Sequence, residues 1–356
     1  MKEISQYLKE VTDVHIELTD KCQAACPMCA RNHNGGTTRP FIKNNEITID
    51  KFKEWFPVSF IQRLNNFYSC GNYGDPAFAT DCFEIYEYVR KHNSTTRLAF
   101  HTNGSLRKPE WWQELAKIIG DRGEVIFAVD GIGTNHEMYR RNTSYDKVIE
   151  NIKSFVSAGG NARADSLIFK HNEKDFDELE KTLYAIGVKE VNIKSTTRFY
   201  DLMKFPVHDK EGNVEYYLEP TTIEKYKQTS KIKLENFLDE EFTRQVAKNS
   251  IVQPKCVDRK EIYVDPHGNV LPCCWIGSDW VEQPLKGEHI LQILRNMTVQ
   301  DSKQVFSNVG VPNLNDRNIE EILRDENTWK TLNDYWYGEN KCLTCVKNCS
   351  AELYDY

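Results

Sequence analysis

The chain has 356 residues, enough for two or three domains of ordinary size and for a core that needs no disulfide staples. Lys and Arg number 46 against 53 Asp and Glu, a net charge of −7, which argues against a general nucleic-acid binder with its basic footprint. A 40% hydrophobic and 12% aromatic content excludes a disordered chain, and no apolar run has the length of a membrane span.

From residue 12 to 200 strand-like and helix-like segments alternate. Val14–Leu18 reads as a first strand, Asp50–Leu64 as a helix, and Asn66–Ser69 as a second strand. Phe78–Lys91 reads as a helix, Leu98–His101 as a third strand, and Trp111–Ile119 as a helix ended by Gly120. Glu124–Val129 is a fourth strand, Tyr145–Val156 a helix stopped by Gly159 and Gly160, and Ser166–Phe169 a fifth strand. Asp175–Ala185 is a helix and Glu190–Ile193 a sixth strand. Such alternation implies an α/β fold with a parallel sheet and crossover helices. Six units fall short of a closed eight-unit barrel, so a partial (β/α)6 TIM-like barrel is expected, with a doubly wound sheet as the alternative on pattern alone.

After Arg198 the rhythm breaks. Phe205–Pro220 reads as a loop, and Thr222–Val246 as a charged helical connector within residues 201–250. In 251–356, Glu261–Val264 and Asn269–Leu271 flank a Gly-containing turn and form a hairpin signature. Asn318–Trp336 is helical, and a cysteine-rich tail follows.

Eleven cysteines stand in clusters, with none between Cys82 and Cys256. Met1–Val11 lacks the apolar run of a signal peptide. An odd, clustered set without an export signal points to a reducing, cytoplasmic compartment and to metal ligation rather than disulfides. Cys70 and Cys82 fit no spacing and read as buried thiols.

Cys22, Cys26 and Cys29 follow the first strand with spacing C-x3-C-x2-C. Three thiolates from one loop can hold three irons of a cubane and leave the fourth open. Structural zinc, with His33 as a fourth ligand, is the competing reading of the spacing alone. Placed after the first strand of a β/α array, the triplet resembles the radical S-adenosylmethionine (SAM) superfamily. That resemblance implies a 4Fe–4S cluster whose open iron chelates SAM. One electron then cleaves SAM to a 5′-deoxyadenosyl radical that abstracts a substrate hydrogen. An external electron donor such as flavodoxin or ferredoxin is implied. Met28 stands where many members carry an aromatic residue, and it is expected to pack on the adenine.

Gly71-Asn72-Tyr73-Gly74-Asp75-Pro76 resembles the family's Gly-Gly-Glu-Pro loop, with Tyr73 and Asp75 in place of a Gly and the Glu. Its backbone is expected to receive the SAM amino group. The Thr102-Asn103-Gly104 turn resembles a family turn near the ribose. Asp130-Gly131, His136-Glu137 and Arg140 resemble an Asp-Gly…His-Asp-x2-Arg-Gly pattern, with Glu137 and Arg141 as departures. Arg140 is expected to clamp the SAM carboxylate.

Cys256-x11-Gly268-x4-Cys273, with Cys342, Cys345 and Cys349, is open to a zinc-ribbon reading in isolation. Attached to such a core it resembles the twitch and SPASM auxiliary-cluster domains. The tail is too short in cysteines for two extra clusters, so one auxiliary 4Fe–4S cluster on Cys256, Cys273, Cys342 and Cys345 is expected, with Cys349 as the alternative tail ligand. Cys274 follows a ligand position where related maturases carry a proton-accepting aspartate, and it is expected to face substrate.

These features imply a radical SAM oxidoreductase, acting on a small alcohol or sugar and assisted by the auxiliary cluster. Radical modification of a peptide or protein is the alternative, and a zinc-binding scaffold is the rival of another class. Few residues precede Cys22, which tilts the expectation away from leader-guided peptide maturation. No nucleic-acid or membrane partner is expected.

Overall fold

Six strands carry the N-terminal half: β1 (Asp13–Ile16), β2 (Asn66–Ser69), β3 (Arg97–Thr102), β4 (Gly123–Ala128), β5 (Ala162–Leu167) and β6 (Glu190–Lys194). They belong to a computed structural model that describes residues 4–199, 203–227, 240–281 and 290–350. The chain divides into two units. One comprises Ile16–Phe52 and Asn65–Gln228, and the other Met1–His15, Lys53–Leu64 and Thr229–Tyr356.

In the first unit β2 to β6 pair in parallel in chain order, an open α/β partial barrel with no closure among the described residues. Side chains alternate across each strand. One face buries Phe67, Leu98, Phe100, Val125 and Phe127, as well as Ala162 and Ala164. Against this face pack amphipathic helices such as Pro109–Ile119 and Tyr145–Ser157. Phe127 sits between the rings of Trp112 and Phe155, with centroids 5.2 and 5.8 Å away. The other face carries Tyr68, His101, Glu124, Asp165 and Lys194, none of which is a core apolar residue.

Three expectations change. The helix foreseen over 50–64 is two helices, Ile49–Trp55 and Val58–Ile61. Pro57 separates them, because proline lacks an N–H and pushes its predecessor out of the helical region. The fifth strand begins at Ala162 rather than Ser166. Its solvent-side residues Arg163 and Asp165 are charged, which hid the alternation, while Ile168 and Phe169 lie beyond its end and are buried. The stretch read as a loop over 205–220 is an antiparallel hairpin of β7 (Phe205–His208) and β8 (Val214–Leu218). Gly212, at φ 90°, makes its turn. Val207 and Leu218 join Met28, Tyr139, Phe169 and Phe199 in one buried cluster, and this packing makes the hairpin. The middle of the helical connector, residues 228–239, lies outside the described residues, and a helix at Glu240–Asn249 follows it.

In the second unit β9 (Glu261–Val264) and β10 (Val270–Leu271) form the foreseen hairpin. Gly268, at φ 85°, and the Asp265 carboxylate hold its turn: Asp265 accepts from the backbone N–H of His267 and Asn269 at 2.9 and 3.0 Å. Tyr7 on the first helix donates to the Glu261 carbonyl at 2.5 Å. The helical reading of 318–336 resolves into three short helices, Ile319–Arg324, Glu326–Trp329 and Thr331–Tyr337. A capping box on Asn318 and Glu321 starts the first of them. Among the described residues no helix is long and apolar enough to cross a membrane.

Phe127 has no exposed surface. Phe127→Ala should therefore lower the unfolding free energy by about 3–5 kcal/mol, the cost of an unfilled aromatic site, read from urea titrations by circular dichroism.

Candidate functional site

The chain after β1 folds into tight turns. Cys29 N–H bonds the Cys26 carbonyl and Asn32 N–H the Cys29 carbonyl, both at 3.1 Å, and Ala25 N–H bonds the Arg141 carbonyl at 2.9 Å. The Cys22, Cys26 and Cys29 thiols lie close enough to act on one another. Burial pushes Cys22 well up, with Asp75, Cys26 and Cys29 adding to it. Burial lifts Cys26 to about 11 against the lowering effect of Arg140. Donors approach the sulfurs: Asn103 Nδ2 stands 3.7 Å from Cys22 Sγ, and Arg140 Nη1 stands 3.8 Å from Cys26 Sγ. Desolvated thiols that stay protonated without metal, yet face N–H donors, suit sulfurs that become anionic on binding iron. Among the described residues no three His, Cys, Asp or Glu side chains stand ready to hold a single metal ion. A cubane takes one thiolate per iron, so its ligands surround a cluster instead of converging on one ion.

The loop after β2 meets this loop through backbone. A Cβ on Gly74 would fall 1.8 Å from the Thr19 carbonyl oxygen, so only glycine permits the contact. Asp75 N–H donates to the Lys21 carbonyl at 2.9 Å. The Asp75 carboxylate is buried and accepts from Asn103 N–H at 2.7 Å, Asn103 Nδ2 at 2.6 Å, Thr102 Oγ1 at 3.0 Å and Ala77 N–H at 3.0 Å. Burial raises its pKa, and these donors oppose the rise. Asp75 thus ties the loop holding Tyr73, Gly74 and Pro76 to the Thr102–Asn103 turn at the end of β3.

Arg140 follows the helix Thr134–Tyr139 and bonds Asp130 Oδ2 through Nε at 2.5 Å. Asp130, fully buried, also accepts from Leu167 N–H at 2.5 Å. His136 is fully buried; its Nδ1 accepts from Asp130 N–H at 3.1 Å, and its Nε2 lies 3.2 Å from Thr143 Oγ1. Burial lowers His136 to about 4. The Met28 side chain lies in the buried cluster with Tyr139 and Phe169, while its carbonyl accepts from Arg198 at 2.7 Å.

Some residues of this region escaped the sequence reading. Glu17, 1% exposed, accepts from the backbone of the post-β2 loop. Arg31 bonds the Asp20 and Tyr73 carbonyls. On the polar face of the sheet, Asp165 escaped it too: it bonds Asn192 at 3.2 Å and Lys194 at 2.6 Å, the latter a residue that the sequence places at the end of the sixth strand, and burial lowers His101, at the end of the third, to about 4. Their signal was the run of polar residues at alternate strand positions.

In the second unit, Cys256 lies on the helix Lys255–Arg259 and Cys273 follows β10. Cys342 caps the helix Leu343–Cys349, which carries Cys345 and Cys349. Burial raises Cys256 well up, with Cys273 and Cys349 adding to it, and lifts Cys273 to about 12. Cys345 is raised first by its hydrogen bond with Cys342, then by burial, with Cys273 and Cys256 contributing. The five thiols are therefore linked in one set of mutual electrostatic influence. Buried carboxylates brace them. Asp301 takes a bidentate Arg244 at 2.7 and 2.8 Å and accepts from Leu343 N–H at 3.0 Å. Asp279 accepts from Ser302 at 2.9 Å and Thr344 at 2.5 Å, and Ser302 Oγ lies 3.9 Å from Cys342 Sγ. Cys274 opens the helix Cys274–Val281 and is half-buried, next to the half-exposed Trp275.

Residues 16–183 match the family model described as the Radical SAM superfamily. The mycofactocin maturase MftC of Mycolicibacterium smegmatis is 24% identical over 164 residues, which are 46% of this chain and 39% of the relative. The chain therefore spans about two fifths of that relative's length. Among solved structures, Streptococcus suis SuiB bound to precursor peptide SuiA aligns with TM-score 0.54 and 12% identity over 90% of this chain and 66% of that one. SuiB bound to S-adenosylmethionine aligns with TM-score 0.55 and 11% identity over 91% and 68%. At these identities the structural likeness is one of fold.

His101 and His136 are held neutral in the folded unit. Their stabilising contribution is complete above the ordinary histidine value near ~6.5 and is lost as pH falls toward about 4. The unfolding free energy should decline over that window. His136→Gln should flatten the decline, as measured by denaturant titration at stepped pH.

Proposed function

We propose that this chain, whose residues 16–183 form a radical SAM domain, uses that domain to start a hydrogen abstraction from a peptide or protein substrate. The observation that carries the reading is the junction of three loops. The Cys22–Cys29 loop, the Gly71–Pro76 loop and the Thr102–Asn103 turn are locked together by Asp75 and the Gly74–Thr19 contact. When bound, the cluster and SAM supply a 5′-deoxyadenosyl radical at the cost of one electron. Cys22, Cys26 and Cys29 hold the cluster. The backbone of the Gly71–Pro76 loop, which includes Tyr73, Gly74, Asp75 and Pro76, takes the SAM amino group, and Thr102 and Asn103 border the ribose. Arg140, oriented by Asp130, faces the carboxylate, and Met28 borders the adenine from the apolar cluster. A flavodoxin- or ferredoxin-type protein supplies the electron.

The likeness to a peptide maturase, and to a fold seen with a precursor peptide, supports a peptide substrate ahead of a small alcohol or sugar. In the second unit, Cys256, Cys273, Cys342 and Cys345 are the proposed ligands of an auxiliary 4Fe–4S cluster, with Cys349 as the alternative for a tail position. Held there, such a cluster would supply an acceptor for the second electron of a net oxidation. Cys274 is proposed to face the substrate.

Anaerobic reconstitution should give about eight irons per chain with little zinc, falling to about four in Cys256→Ala. After reduction and addition of SAM, 5′-deoxyadenosine should form in the wild type and not in Cys26→Ala. Product at the level of that variant, or zinc in place of iron, overturns the enzymatic reading in favour of a scaffold. Cys274→Ser should keep its iron and lose substrate turnover; full turnover with full iron removes Cys274 from the site.

A further inference from the structure

The loop after β2 does not choose its own peptide orientations. Glu17, the residue immediately after the last residue of β1, Ile16, is 1% exposed. Its carboxylate meets two consecutive backbone donors: Oε1 accepts from Asn72 N–H at 2.6 Å and Oε2 from Tyr73 N–H at 3.3 Å. A buried carboxylate is stable only when donors surround it, so this pairing holds both partners in place. In a trans peptide the N–H and the C=O of one plane point in opposite directions. Pinning the N–H of Asn72 and of Tyr73 onto Glu17 therefore turns the carbonyls of Gly71 and Asn72 away from it. The Asn72 carbonyl does stand 3.8 Å from Cys29 Sγ, on the side of the three cysteines. The next carbonyl, that of Tyr73, is taken by Arg31 Nη1 at 3.4 Å.

We infer that Glu17 is a positioning residue for SAM: by fixing two peptide planes it presents the Gly71 and Asn72 carbonyls, and not that of Tyr73, as acceptors for the α-ammonium group. The inference rests on the radical SAM reading above. Chemically, an ammonium needs acceptor oxygens and no donors, and a loop with its N–H groups withdrawn onto a carboxylate offers that surface. Glutamine at this position keeps one acceptor oxygen but sets an NH2 group against a backbone N–H, so one of the two planes loses its anchor.

The experiment is SAM binding to the reconstituted full chain, with iron per chain and circular dichroism as controls. Glu17→Gln should weaken SAM by about tenfold, while iron content and the 5′-deoxyadenosine rate at saturating SAM stay near wild type. A SAM analogue without the α-amino group should bind wild type and Glu17→Gln equally, because the group that Glu17 serves is gone. Binding of SAM to Glu17→Gln within twofold of wild type overturns the inference, as does an equal loss for SAM and for the analogue. If Glu17→Gln loses its iron, Glu17→Asp carries the same comparison with the charge retained, and an equal loss for both ligands again overturns it. A wild-type chain that assembles its cluster but binds no SAM fails at the radical SAM reading itself. A wild type that binds SAM with an insensitive Glu17 variant fails at this inference alone.

Discussion

The parallel register of β2 to β6 is the constraint on which the rest depends. Parallel neighbours deliver every strand's C-terminal end to the same edge, so the loops that follow successive strands are brought side by side. The two-residue alternation then separates two chemistries. One face of the strands is apolar and takes the helices; the other keeps Glu124, Arg163, Asp165 and Lys194 paired with one another. A full barrel of this type fills its interior with packed apolar layers. Here that face is instead paired in charge across the strands and partly open to water.

Buried carboxylates do the local work. Glu17, Asp75 and Asp130 stand in the segments that follow β1, β2 and β4, and each is satisfied mainly by backbone N–H groups or by Arg140. A desolvated carboxylate that lost such donors would be left at a cost of about 1–3 kcal/mol or more, so each one fixes the loop that supplies its donors. Asp301 and Asp279 do the same around the second set of cysteines. In both units the cysteines are free thiols with polar neighbours rather than disulfides.

Much of this was legible in the sequence. The cysteine spacings, the Gly74-Asp75-Pro76 loop and the Thr102-Asn103 turn are short-range patterns, and the structure brings them together as neighbours. What failed to show were features whose signal is distributed. The fifth strand began early because its alternate residues are charged, and charge on a strand face marks an interior only when the whole sheet is known. The β7–β8 hairpin read as a loop because its apolar residues are few and its packing partners, Met28, Tyr139 and Phe169, lie far away along the chain.

The sequence by itself determined the strand–helix alternation, the grouping of the cysteines and the glycines at tight turns, because each depends on residues within a few positions of one another. Only the tertiary structure decided which buried carboxylate serves which loop. Glu17 and Asn72 are 55 positions apart, as the bond between them records, and Asp75 and Asn103 are 28 apart. The donors and the acceptor of each pair follow different strands, and nothing in local propensity specifies that pairing. It follows from the register of the sheet, which sets loop against loop and leaves each buried charge one set of donors to meet.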